Sequence, residues 1–155
     1  MKMKDWLQTF LYIRKLYERD MGELGGQLGL TVTELEILSF LHNNPGRDTA
    51  SDIVELRMIP KANVSQAVER LMRKGLLERT SDPCDRRRIH LKASPQAAPA
   101  VGRIVRVNDR YTRCLFRGIG GDDLALCARV GAQVAENARR ALDQSDPRKE
   151  PVTHE

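Results

Sequence analysis

Cysteine is scarce in this chain: there are three in 155 residues, and Cys84, Cys114 and Cys127 form no Cys-x-x-Cys pair. An odd and irregular set of this kind builds no disulfide framework and suits a reducing cytosol. Histidine is as scarce, and His42, His90 and His154 lie too far apart to share the ligand spacing of a metal site. No apolar run is long enough to cross a bilayer, and no basic-then-apolar leader precedes a cleavage site. The expected location is therefore cytoplasmic, with no membrane partner. No Ser/His/Asp set or carboxylate pair stands out, so enzymatic chemistry is not expected. Gly118-Ile119-Gly120-Gly121 follows a helical pattern rather than a strand, which makes it a linker and not a phosphate loop. There is no internal repeat, and nothing calls for a cofactor.

What is present is charge, and it is concentrated. The chain carries 26 Lys and Arg against 21 Asp and Glu, a net +5, with a sequence pI near 9.4. Residues 60–94 hold nine of the basic and four of the acidic residues, so the excess of this one segment equals that of the whole chain. A basic patch of this kind points to a polyanionic partner. With 41% hydrophobic and 30% charged residues the chain can bury a core and stay in solution. Its length suits one domain with extensions.

The periodicity predicts a mostly helical chain. Trp6, Phe10, Ile13 and Tyr17 recur at helical spacing, which predicts a first helix over 4–20, broken by the glycines from Gly22 to Gly29. Thr33 and Glu36 have the spacing of a capping box that starts a second helix, with Leu35, Leu38 and Leu41 buried. Asn44-Pro45-Gly46 ends it. A short third helix follows Asp48 or Thr49 and buries Ile53 and Leu56. A fourth runs from Pro60 to a stop at Gly75. Two strands follow over 76–80 and 88–93, then a long fifth helix to about Arg117 and a sixth over 122–142. From Asp143 onward the chain is polar, carries two prolines and is expected to be disordered. The span 1–142 reads as one domain, with the module at 33–94 in the middle.

The fourth helix divides by face. Val64, Val68 and Leu71 form an apolar side, while Ala62, Gln66, Glu69 and Arg73 lie opposite, flanked by Asn63 and Arg70. A helix that enters the major groove of DNA needs this division: one face holds it on its domain, the other reads bases and neutralises phosphates. Asn63 and Gln66 can donate and accept together, as an adenine edge requires, and Ser65 can meet a base or a phosphate. Lys61, Arg70 and Arg73 are candidates for phosphates. The plainer alternative is an ordinary solvated face. Beyond the helix, Asp85-Arg86-Arg87-Arg88 falls in the loop between the two strands. Three adjacent like charges repel one another, so they gain most beside a polyanion, where an Arg at a hairpin tip can enter the minor groove. Asp85 can hold a neighbouring guanidinium and aim it. The plainer alternative here is a charged edge that resists strand aggregation.

The segment 51–94 resembles the winged helix-turn-helix of the multiple antibiotic resistance regulator (MarR) family. The resemblance lies in Lys61, Val64 and Ser65, then Leu71, Lys74-Gly75-Leu76 and Arg79, the loop with Asp85-Arg86-Arg87, and Ser94. More loosely it extends over 4–142 through the order of helices. Two positions depart from the pattern: Pro60 stands where the family often has Ser, and Arg57-Met58 where it usually has Leu-Gly. The resemblance implies a sequence-specific DNA-binding transcriptional regulator, a repressor that binds a pseudo-palindromic operator as a homodimer. Its N-terminal segment (4–30) and C-terminal helices (95–142) would be dimerisation elements. The apolar stripe Cys127, Val130, Val134, Ala138 and Ala141 on the last helix supports a homodimer independently.

The family also implies a small aromatic or phenolic effector, for which Tyr12, Arg14, Tyr17, Arg110 and Tyr111 are the candidate pocket; aromatic residues at helical spacing serve equally as core or interface. Two other readings stay open. One is a winged-helix adaptor that docks its basic module on an acidic protein. The other is a thiol-based redox regulator acting through Cys84, which sits among positive charges.

Overall fold

The computed structural model describes residues 3–85 and 87–144. Within them run α1 (Met3–Leu28), α2 (Val32–Asn43), α3 (Ala50–Arg57), α4 (Lys61–Arg73), β1 (Leu77–Ser81), β2 (Ile89–Ala93), a single 3-10 turn at Pro95–Ala97, α5 (Ala98–Leu115) and α6 (Gly121–Gln144). This is the mainly helical fold with a small β-wing that the sequence predicts. Contacts divide the chain after Leu115 into two compact units, a boundary inside the span 1–142.

α1 does not break at the glycines. It runs unbroken through Gly22, Gly25 and Gly26 and ends only at Gly29, whose φ of 65° is left-handed. A glycine inside a helix costs up to about 1 kcal/mol relative to Ala. Here packing outweighs that cost, because Met21 and Leu24, each next to a glycine, are fully or almost fully buried. Gly25 is required for a different reason: a β-carbon there would stand 2.4 Å from the Leu30 carbonyl oxygen, where the chain folds back after the helix. The Leu30 N–H donates to the Gly25 carbonyl at 3.0 Å across that turn.

The early end of the linker also moves the start of α2. The capping box forms at Thr31 and Glu34, not at Thr33 and Glu36: the Glu34 N–H donates to Thr31 Oγ1 and the Thr31 N–H to Glu34 Oε2. Both pairs have the same spacing, but Gly29 leaves only Leu30 between the two helices, so the first Thr takes the cap. α3 has its own capping box, Thr49 with Asp52. It buries Ile53, whereas Leu56, expected inside, is 48% exposed.

The core of the first unit is one cluster. Met21, Leu24, Leu35, Leu38, Phe40, Ile53, Val64, Leu71, Leu77, Leu91 and Ile104 meet in it, so α1, α2, α3, α4, the wing and α5 share one interior. Each such side chain, fully buried, contributes about 1.5–3 kcal/mol. β1 and β2 pair antiparallel with Leu77 opposite Ala93 and Ser81 opposite Ile89, one residue later than the expected first strand.

The second unit contains α6. None of its described side chains is buried. Leu126, Val130 and Val134 are 43–46% exposed along one stripe. Glu136 is tied to Arg139 and Arg140 on the polar side. Asp143 and Gln144 belong to this helix. Residues 145–155, the rest of the tail expected to be disordered, lie outside the described residues.

Candidate nucleic-acid interface

The interface is built on α4. The helix starts at Lys61 with Pro60 as its N-cap and no side-chain cap; the Pro60 carbonyl accepts from the N–H groups of Asn63 and Val64. Proline suits this place because its missing N–H would be unpaired there anyway. The preceding turn is tight because Met58 caps α3 in the left-handed region, at φ 53°, the one non-glycine with positive φ among the described residues. The far end closes on Gly75 (φ 70°), where the Leu76 N–H reaches the Leu71 carbonyl at 2.9 Å.

The division of faces is as the sequence indicates. Val64, Ala67, Val68 and Leu71 are buried, while Lys61, Asn63, Ser65, Gln66 and Arg73 are exposed. Arg70 stands apart from these. Its Nε donates to Glu34 Oε1 at 2.8 Å, and Lys74 Nζ donates to Glu34 Oε2 at 2.8 Å and to the Gly29 carbonyl. Glu34 is completely buried. Burial pushes its carboxyl up, but bonds from Lys74, the Thr31 N–H and Arg70 outweigh that and hold it below the ordinary value. One carboxylate thus caps α2 and locks α4 against it. Arg70, taken in the sequence for a phosphate contact, here serves as an anchor of the helix. Sequence reasoning missed Glu34 because its partners lie 36 and 40 residues away.

The wing loop is organised by aspartates. Asp82 Oδ1 accepts the N–H groups of Cys84 (2.7 Å) and Asp85 (3.0 Å). Asp85 Oδ1 accepts the Arg87 N–H at 2.9 Å. Asp85 therefore shapes the loop backbone; Arg86, the neighbouring guanidinium that it is expected to aim, lies outside the described residues. Arg87 and Arg88 are exposed. A groove of about 540 Å³ runs between the wing and the start of α3, lined by Thr49, Ala50, Ser51, Asp85, Arg87, Arg88 and Ile89. Two arginines on one wall and the N-terminus of a helix on the other suit a phosphate. Ser51 gave no signal in the sequence, because the groove exists only once the wing folds back beside α3.

His90 follows Ile89, a lining residue of this groove, and bridges two aspartates. Its Nδ1 is 2.7 Å from Asp48 Oδ1 and its Nε2 3.0 Å from Asp82 Oδ2. Bonds from His90 and from the N–H groups of Cys84 and Asp85 lower the Asp82 carboxyl to about 2, and the bonds to Asp82 and Asp48 raise the imidazole above its ordinary value. Cys84 is an exposed free thiol, as are Cys114 and Cys127.

The five candidate effector residues do not form one pocket. Tyr17 and Tyr111 meet edge-on, with centroids 5.6 Å apart, and the Tyr111 hydroxyl donates to the Ile13 carbonyl. Burial raises both phenols. Tyr12 is 66% exposed, and Arg14 is turned to Glu18 at 2.7 Å. Arg110 opens instead on a groove of about 490 Å³ between α1 and α5, whose walls include Asp20, Glu23, Gln27, Arg103 and Arg106. Tyr17 and Tyr111 pack, and the arginines pair with Glu18 and Asp20.

Residues 28–88 match the model of the MarR family. Over that segment the chain is similar to the MarR-family winged module. MarR-family members are transcriptional regulators, not enzymes. Among solved structures, MarR itself is 25% identical and superposes with a TM-score of 0.69 over 93% of this chain and 95% of that one. The transcriptional regulator SlyA is 19% identical, with a TM-score of 0.78 over 90% and 97%. Bordetella bronchiseptica BpsR, whose DNA binding is regulated by 6-hydroxynicotinic acid, is 23% identical, with a TM-score of 0.60 over 83% and 98%. No curated protein sequence matches the chain. The MarR fold, with its exposed polar helix face and basic wing, supports a DNA-binding regulator. No described helix is long and apolar enough to cross a membrane.

Proposed function

We propose that the protein is a homodimeric transcriptional repressor that binds a pseudo-palindromic operator. The observation that carries this reading is the pairing of two features in one rigid unit: the polar face of α4 and the arginines of the wing beside α3. Asn63, Ser65 and Gln66 read bases in the major groove; Lys61 and Arg73 neutralise phosphates. Arg87, with its neighbour Arg86, serves the minor groove or the flanking backbone. Arg70 contributes through Glu34, by fixing the angle of α4. The two copies associate through the N-terminal half of α1, where Leu7, Phe10, Leu11 and Tyr12 are 50–66% exposed, and through the stripe of α6. A small anionic aromatic effector is the ligand class that BpsR suggests, and the α1–α5 groove is the place to seek it, because its arginines suit an anion. The cytoplasm is the compartment that fits a regulator of this kind.

The test is the slope of log affinity against log salt on operator and on random duplex. A steep slope with a large preference for operator is expected. A shallow slope with no preference for operator would mean an adaptor that uses the module on an acidic protein.

A further inference from the structure

We propose that His90 is the positioning residue of the wing: an imidazolium held between Asp48 and Asp82 that fixes Arg87 and Arg88 relative to the start of α3, and that releases the wing when it loses a proton. The inference rests on the DNA reading for its functional meaning, but its physical content is in the wing alone.

Two anchors join the wing to the rest of its unit at this point. One is backbone: the Leu91 N–H donates to the Asp48 carbonyl at 2.7 Å, and Thr49 bridges to His90. The other is the ring of His90. Both of its nitrogens face carboxylate oxygens, which only accept, so both bonds require the doubly protonated ring. A neutral ring has one N–H. It must then turn a lone pair towards one carboxylate, losing that bond and gaining repulsion. Asp48 immediately precedes Thr49, the N-cap of α3, while Asp82 holds the N–H groups that shape the wing loop. The ring therefore joins the residue before the α3 cap to the aspartate that shapes the wing loop, next to the groove in which Arg87 and Arg88 stand.

The charged surroundings are few. On its own face of the hairpin the neighbours of His90 are Asp82, Arg88, Lys92 and Glu78, the last two directly opposite each other, and Thr80 stands across from it. From α3, Asp52 is occupied by Thr49 and Arg47. From α2, His42 lies by Ala93 at the other end of the strand. Among the described residues no other cation lies within ion-pair distance of Asp48 or Asp82. The imidazole is held above its ordinary value, so the clamp is complete below the ordinary histidine range and is lost as pH rises through the raised value of the folded protein. Asp82, lowered to about 2, keeps its charge throughout that range.

The experiment uses the full chain in two arms. In the first, without DNA, NMR follows the His90 ring and the wing amides of Cys84, Asp85 and Arg87 from acid to alkaline pH. The expected result is a His90 midpoint above the ordinary range, with the wing amides losing exchange protection in step with it. In the second, operator affinity is measured over the same pH range and is expected to fall about tenfold across the His90 midpoint. Asp48→Asn removes one charge without touching the DNA-facing residues. It should move both midpoints to lower pH, which a merely structural role would not do. Wing amides indifferent to the His90 titration, or midpoints unmoved by Asp48→Asn, overturn the clamp. Amides that follow His90 in a protein that binds no duplex sustain the clamp and overturn the DNA reading instead.

Discussion

Met58 and Glu34 show how single residues set the entry and the anchoring of α4. Met58 occupies a left-handed position with its side chain 78% exposed, so its strain is offset by no packing of its own. Met58→Gly should stabilise the protein by about 1 kcal/mol, read as a higher urea midpoint with an unchanged slope. Glu34 acts in the opposite sense. Glu34→Ala should cost about 2–3 kcal/mol, because two cations and a helix cap lose one buried partner. Its carboxyl lies below the ordinary value, so its contribution is present above the unfolded pKa and disappears as acid takes the pH through the folded one. Glu34→Gln should flatten that acid limb in denaturation curves taken at several pH values. The Met58 turn stands out in the sequence, but the role of Glu34 does not. Thr31 with Glu34 and Thr33 with Glu36 have identical spacing, and only the left-handed Gly29 and the distant Arg70 and Lys74 separate them.

Elements were easier to read than residues. α4 was found nearly to the residue, because its apolar period and the Gly75 stop agree. The wing was found from alternation and its arginines. The glycine-rich stretch of α1 spells a break by propensity alone, and the packing of Met21 and Leu24 overrides it. The division of labour along α4 can be tested by substitution. Arg73→Ala should reduce the steepness of the salt slope by about 0.9 and leave the preference between sequences unchanged. Gln66→Ala should instead cost about 1–3 kcal/mol at one base pair and relax the preference there. Arg70→Ala should lower thermal stability more than it alters the salt slope, since its guanidinium is engaged by Glu34. Arg87→Ala should weaken operator binding in a gel shift with no change in oligomeric state.

At the scale of the molecule the chain leaves two apolar surfaces uncovered, one on the first half of α1 and one along α6. The stripe on α6 was plain in the sequence; what covers it was not, because under the proposed dimer that surface belongs to a second copy. Val134→Asp should turn a dimer into a monomer in sedimentation at micromolar concentration, with the fold of the winged unit retained by circular dichroism. Operator affinity should then fall by about a hundredfold or more, as the second half-site loses its tethered partner.

One joint in the first unit bears on how such a dimer would respond to an effector. The end of α4 and the end of the hairpin are fastened together, since the Ser94 hydroxyl donates to the Gly75 carbonyl at 2.6 Å and the Ser94 N–H to that of Leu76 at 3.1 Å. The root of the hairpin is therefore tied to the end of α4, and this joint is the fulcrum about which the wing would tilt. The hairpin is five residues long on each strand, an arm of about 17 Å. A tilt of about 5° at the fulcrum carries its tip about 1.5 Å, half the length of a hydrogen bond. Under the proposed function, an effector that shifted α5 by a fraction of an ångström at the root would have leverage enough to lift the arginines off a phosphate, with no part of the reading head unfolding.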